Sequence, residues 1–215
     1  MSDGKPVATV LLVAAIATAA SLLVTASWEF SHERIEANRR ARLLANLSSV
    51  LDASLVGRDL DPVLITANDP SLGSNEPIDV FVPVDGTRPL AAIFASVAPD
   101  GYNAPIDLLI GIDVTTGIVT GVRVVGHRET PGLGDLIDSR KSDWILQFDG
   151  KSIDNPAAAG WAVTKEDGEF DSITGATVTP RAVIKAVYNT LIYFDAHRNE
   201  LLAEAIESAT SRSVD

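Results

Sequence analysis

Ile106-Asp107-Leu108-Leu109-Ile110-Gly111-Ile112, a joint at Thr115-Thr116-Gly117, and then Ile118-Val119-Thr120-Gly121-Val122-Arg123-Val124-Val125 decide the fold class of this chain. Both runs are rich in β-branched residues, and a short glycine-containing joint returns the chain beside itself, so they predict an antiparallel pair. Upstream, residues 78–84 and 90–97 have the same character. Their joints are Asp85-Gly86 and Pro99-Asp100-Gly101, so the four runs in series predict an antiparallel meander.

Working outward towards the C-terminus, Gly126 to Gly134 is a glycine- and proline-rich loop. A short helix is expected over 137–148 and a strand over 161–164. From Pro180, Val183, Ile184, Val187, Leu191 and Phe194 fall at helical intervals, so one apolar face can lie on the sheet. The expectation is an α+β domain over residues 78–203, with 204–215 as a flexible tail.

Towards the N-terminus, residues 68–77 are turn-rich, with Asp69-Pro70, Gly73 and Pro77, and mark where the chain joins the sheet. Residues 29–77 are expected to form a helical stalk and linker, with helical spacing from Leu43 through Leu47, Val50 and Leu51. Val7 to Ala26 carries no charge and, at about 1.5 Å per residue, spans a hydrocarbon layer of roughly 30 Å. Residues 1–28 therefore read as a single transmembrane helix, with Trp28 and Phe30 as interfacial anchors. A cleaved signal peptide is the rival, but the apolar run is long for one and its basic leader is a single Lys5. Arg34, Arg39, Arg40 and Arg42 follow the segment, and the positive-inside rule alone would leave the domain in the cytoplasm.

Composition narrows the chemistry. The 215 residues contain no cysteine, which excludes iron–sulfur ligation, disulfides and thiol catalysis by this chain. A redox centre held here is therefore organic. A formal net charge of −12 argues against nucleic-acid binding, which needs a basic face. No Gly-x-Gly-x-x-Gly dinucleotide fingerprint is present. The three histidines, His32, His127 and His197, show no spacing that would supply a hydrolase with a base for Thr177 or Ser172.

The stretch that speaks to chemistry is Asp171-Ser172-Ile173-Thr174-Gly175-Ala176-Thr177-Val178-Thr179, followed by Pro180. Proline suits the first residue of a helix, so Thr179 reads as the N-cap. Thr177 then stands just before a helix N-terminus, where free N–H groups and the dipole favour a phosphate. Thr-Gly-Ala-Thr is equally the composition of an ordinary strand-to-helix turn, and Asp171 that of a turn-stabilising residue. In the loop Glu129-Thr130-Pro131-Gly132-Leu133-Gly134, two glycines allow close approach of backbone to a flat ligand. Trp144 and Trp161 read as core aromatics before ring-stacking ones, His127 as a solvated strand-end residue, and Lys185 as part of a solvated helix face.

Asp-x-x-Thr-Gly-Ala-Thr-x-Thr before a Pro-started apolar helix resembles the flavinylation motif read by flavin transferases of the ApbE type. These enzymes join FMN to a threonine through a phosphoester. Four further runs extend the likeness: Ala98-Pro99-Asp100-Gly101-Tyr102-Asn103 into the Ile106 strand, Gly126-His127-Arg128-Glu129 into Gly134-Asp135, Ser142-Asp143-Trp144, and Trp161-Ala162-Val163. In this order and spacing the chain, from about residue 80 to about 195, resembles the G subunit of the Rnf (Rsx) ion-translocating electron-transport complex.

The resemblance implies a covalent FMN on Thr177, with Thr174, Gly175, Ala176 and Thr179 as motif positions and Glu129, Thr130, Gly132, Leu133 and Gly134 beside the flavin. It implies an electron-transfer role among other subunits of the complex and maturation by the transferase. It also implies a single-pass protein of the bacterial inner membrane with its domain on the periplasmic side, opposite to the charge bias around the anchor.

Overall fold

The computed structural model of the protein describes residues 44–52, 54–55 and 62–212, together with residues 11, 13–14, 17–18 and 21. The chain divides into two units, Met1–Ala45 and Asn46–Asp215. In the first, residues 11, 13–14, 17–18 and 21 are helical, and the hydroxyls of Thr18 and Ser21 donate to the carbonyls of Ala14 and Ala17. Among the described residues no helix is long and apolar enough to cross a membrane. Most of the expected anchor over 7–26, Trp28, Phe30 and the arginines after them lie outside the described residues.

The second unit is an antiparallel sheet with a long C-terminal helix, an α+β arrangement as expected. Its strands are β1 (Pro62–Ala67), β2 (Ile78–Asp85), β3 (Arg88–Pro89), β4 (Ala91–Phe94), β5 (Val97–Ala98), β6 (Ile106–Asp113) and β7 (Val119–Gly126). The four strands read from the sequence pair in chain order, β2 with β4, β4 with β6 and β6 with β7, all antiparallel. The expected strand over 90–97 is interrupted at Ala95-Ser96, and β5 resumes along the same edge of β6. β1, which lies inside the stretch expected to be stalk and linker, adds an outer strand on β2.

Alternation along the central strands fills two cores. Val80, Val82, Ala92, Phe94, Leu108, Ile110 and Ile112 join the larger one. The intervening Phe81, Ile93 and Leu109 form a second with Leu47 and Val50. Because successive strand side chains point to opposite faces, the segment around Val50 lies on one face of the sheet and the C-terminal helix on the other. That helix, Val178–Arg212, buries Val183, Ile184, Val187, Leu191 and Phe194 as its apolar spacing requires. Phe94 meets Tyr193 and Phe194 edge-on, at ring separations of 6.1 and 6.2 Å.

Several boundaries differ from expectation. The helix starts at Val178 rather than after an N-cap at Thr179, so Pro180 sits within the first turn, where its missing N–H still costs nothing. It continues past residue 203 to Arg212 and buries Ala205 and Ala209. In place of one helix over 137–148 there are two short 3-10 turns, Gly134–Ile137 and Trp144–Phe148. Asp138 parts them: its carboxylate accepts from the Arg140 backbone N–H at 2.9 Å, a local bond that competes with helix continuation. Around Trp161 the expected strand reduces to a single parallel bridge between Val163 and Phe170, because the chain reverses at Asp167 in the left-handed region.

Candidate functional site

The two segments singled out in the sequence meet at one cavity of about 360 Å³. Its walls are Glu129, Thr130, Leu133 and Gly134 from the loop after β7, and Gly175, Ala176, Thr177, Val178 and Thr179 from the turn and first helical residues. Tyr102 completes it. Of the expected site residues, Gly132 and Thr174 fall outside this cavity and line a neighbouring open groove with Trp144, Gln147, Lys165 and Asp171.

The acceptor segment is built from residue geometry. Ile173 and Ala176 close a turn through the Ala176 N–H to Ile173 carbonyl bond at 3.1 Å. Gly175 holds its third position at φ +82°, a left-handed conformation that glycine adopts without steric cost. A Cβ there would also meet Leu133 Cδ2 at 2.8 Å, so the glycine lets the turn approach the loop. Thr177 follows immediately before the helix, half-buried. Its hydroxyl has no hydrogen-bond partner among the described residues, whereas the neighbouring Thr179 is fully engaged. Leu133 and Val178 expose 39% each and Tyr102 67%, so the rim of the cavity is apolar and aromatic.

Glu129 forms the floor of the site and is 5% exposed. Its Oε2 accepts from the Thr179 hydroxyl at 2.5 Å and its Oε1 from the Asn103 backbone N–H at 3.1 Å. Asn103 Nδ2 donates to the Arg128 carbonyl and to Thr130 Oγ1, which ties the turn after Gly101 to the loop. Gly134 is required by this packing, since a Cβ would meet Glu129 Oε2 at 2.7 Å and Thr179 Oγ1 at 2.9 Å.

Behind the loop stand two ion pairs. Asp135 accepts from the Gly132 N–H and from Lys141 Nζ, each at 2.7 Å, and the lysine holds its carboxyl below the ordinary range. The Arg140 guanidinium does the same for Asp138, binding both its oxygens. His127 accepts from the Glu129 N–H and lies 4.0 Å from Asp138, so it is part of the loop's frame rather than solvated. Among the described residues, no histidine lines the cavity, and no histidine, cysteine or carboxylate cluster suits a metal.

Trp144 and Trp161 belong to the core: Trp161 stacks on Tyr188 at 5.0 Å and meets Phe170 at a tilt at 5.1 Å, and Trp144 packs edge-on to Phe148. Lys185 pairs with Asp100 at 2.6 Å, away from the cavity walls. Sequence reasoning missed Tyr102, Asn103 and Val178 as site residues. An aromatic next to glycine in a strand-connecting turn is the signal that could have found Tyr102.

Comparison with known proteins adds four findings. The FMN-binding domain family matches residues 101–192, a span that contains every cavity residue. The G subunit of the ion-translocating oxidoreductase complex of Pseudomonas aeruginosa is 47% identical over 182 residues, covering 84% of this chain and 85% of its own. Its Shewanella loihica namesake is 42% identical over 192 residues, covering 89% of each chain. Among solved structures, NqrC of Shewanella oneidensis aligns over 74% of both chains with a TM-score of 0.44 and 19% identity.

Proposed function

This chain belongs to the family of G subunits of the ion-translocating oxidoreductase complex, and we propose that it carries electrons on an FMN joined to Thr177 by a phosphoester. The observation that carries this reading is the Thr177 hydroxyl, without a partner among the described residues, on the wall of a cavity at the start of a long helix. The cavity fits the group in kind: its volume lies within the roughly 300–1,000 Å³ of small-molecule sites, and its rim is apolar and aromatic. The first backbone N–H groups of the helix and the positive end of its dipole favour a phosphate beside Thr177.

The flavin supplies one-electron and two-electron chemistry, and the protein supplies position and electrostatics. Thr177 fixes the phosphate end. Leu133, Val178 and Tyr102 offer apolar and aromatic surface to the ring system, and Gly134 lets the loop backbone lie close. The buried Glu129 is already committed to Thr179 and Asn103, so it holds the two walls together as an acceptor rather than standing ready as a free base. A tethered cofactor cannot dissociate, which suits a carrier working among the other subunits of the complex.

The same reading assigns a membrane anchor to residues 7–26, a domain facing the periplasm, and a flavin transferase of the ApbE type as the maturation partner. A net charge of −12 lends no support to a nucleic-acid partner. The intact mass of protein matured with the transferase tests the central claim. Wild type gains the mass of FMN less water, and Thr177→Val gains nothing while folding normally. A mass increment that survives Thr177→Val overturns the acceptor assignment.

A further inference from the structure

The indole of Trp144 and the amide of Gln147, both outside the cavity, close on the backbone of one residue of the acceptor segment, through the two peptides that flank its Cα. Trp144 Nε1 donates to the Asp171 carbonyl at 2.7 Å, and Gln147 Oε1 accepts from the Asp171 N–H at 2.7 Å. Gln147 is itself steadied, because its Nε2 donates to the Trp144 carbonyl at 2.9 Å. Trp144 is 8% exposed and locked against Phe148, so the donor is rigid.

Beyond this clamp the chain is held in stages. The Ser172 and Thr164 hydroxyls are 3.3 Å apart, Ile173 is buried, and the Ile173–Ala176 turn follows. At the far end, Thr179 is latched to Glu129. Between these fixed ends Thr174 and Gly175 are exposed, and neither Thr174 nor Thr177 has a side-chain hydrogen bond among the described residues. A modifying enzyme therefore meets an accessible segment whose ends are already ordered. The Asp171 side chain is exposed and makes no hydrogen bond among the described residues; it is the backbone N–H and carbonyl, not the carboxylate, that the domain grips.

Resting on the covalent reading above, we infer that Trp144 and Gln147 are positioning residues for loading of the flavin, holding the Asp171 backbone on both sides of its Cα so that the acceptor segment is presented in its reactive shape. Loading forms a P–O bond to Thr177 Oγ1 and breaks the phosphoanhydride of a flavin dinucleotide donor. The nucleoside monophosphate leaves, the hydroxyl proton passes to solvent, and no electron changes hands. Nothing in that balance calls on Trp144 or Gln147 chemically. Their contribution is the population of the competent segment, and an acceptor that is only fractionally competent binds its enzyme more weakly in proportion.

The test follows the intact mass of full-length chain against time, with transferase and flavin adenine dinucleotide, over a range of chain concentrations. Gln147→Met keeps the side-chain length and removes both amide bonds; Trp144→Phe keeps an aromatic ring and removes the donor. Each removes one hydrogen bond to the Asp171 backbone and is expected on that account to raise the apparent KM for the chain about fivefold, with kcat unchanged. Hydrogen exchange is expected to quicken at residues 171–177 and to stay as in wild type along the C-terminal helix. The clamp is overturned if wild type loads normally and both variants load with the wild-type KM. It is equally overturned if exchange quickens throughout the domain, which marks a general loss of stability. A wild-type chain that gains no mass overturns the covalent reading, and this inference with it.

Discussion

The hydroxyl of Thr179 donates a 2.5 Å hydrogen bond to Oε2 of Glu129, joining the first turn of the C-terminal helix to a loop fifty residues earlier. Both side chains are buried, at 1% and 5% exposure, so neither can turn to water if the other is lost. This bond sets the spacing of the cavity walls, because Thr177 precedes Thr179 and Thr130 follows Glu129.

Thr179→Val removes the donor at constant shape and leaves one carboxylate oxygen buried without its partner. Urea denaturation should register a loss of about 1–3 kcal/mol, and Thr179→Ser should recover most of it. A valine variant as stable as wild type would mean that the carboxylate finds another donor.

Gly175→Ala tests the turn. At φ +82° an alanine is strained, and its Cβ would press on Leu133 Cδ2 at 2.8 Å. The expected cost is more than about 1 kcal/mol, the scale of an alanine placed where φ is positive. Leu133→Ala in the same chain should relieve the contact but not the backbone strain, so the double variant should recover only part of the loss in a thermal melt.

The strands and the helical face were legible because their signals are local. β-branched runs, glycine joints and the Val183-Ile184-Val187-Leu191 spacing each need only a few neighbouring residues to be read. β1 was missed because Leu64 is 49% exposed. An apolar residue on its solvent side blurs the alternation of Val63, Ile65 and Ala67 that marks the strand. The short helix over 137–148 failed because Asp138 spends its carboxylate on Arg140, a side-chain preference that a hydrophobic period does not register. At the site, the motif and the glycine loop were visible as separate segments. Their meeting at one cavity, and the part of Tyr102 and Asn103 in it, depend on pairings across the fold that no single window contains.

Acid should loosen the loop behind the cavity before it unfolds the sheet. Arg140 and Lys141 keep Asp138 and Asp135 below the ordinary carboxylate range in the folded protein. A folded-state pKa below the unfolded one gives stabilisation that is complete above the unfolded value of about 3.9. It is lost as pH falls through that value towards the folded one. The melting temperature should therefore drop on acidification below about pH 5, and Asp138→Asn should lie lower at pH 7 with a flatter acid limb. Parallel acid limbs for the two proteins would show that the pair does not contribute.

The face of the sheet opposite the helix depends on a pair of glycines. Gly111 and Gly121 are cross-strand partners on β6 and β7, and Val50 lies directly on them. A Cβ on Gly111 would meet the Val50 carbonyl oxygen at 2.3 Å, and one on Gly121 would meet Val50 Cα at 3.0 Å. Thr120 donates to that same carbonyl at 2.5 Å. Because the obstruction is backbone, it cannot rotate away, and Gly111→Ala should lift the segment around Val50 from the sheet. Leu47 and Val50 would then lose their burial against Phe81, Ile93 and Leu109, at about 1.5–3 kcal/mol for each side chain fully exposed. The expected result is a loss of several kcal/mol with increased binding of a hydrophobic dye, whereas Thr120→Val, which removes one hydrogen bond, should cost about 1 kcal/mol and bind no more dye than wild type. If Gly111→Ala proves as mild as Thr120→Val, the segment is held by its hydrogen bond and not by the shape of the sheet beneath it.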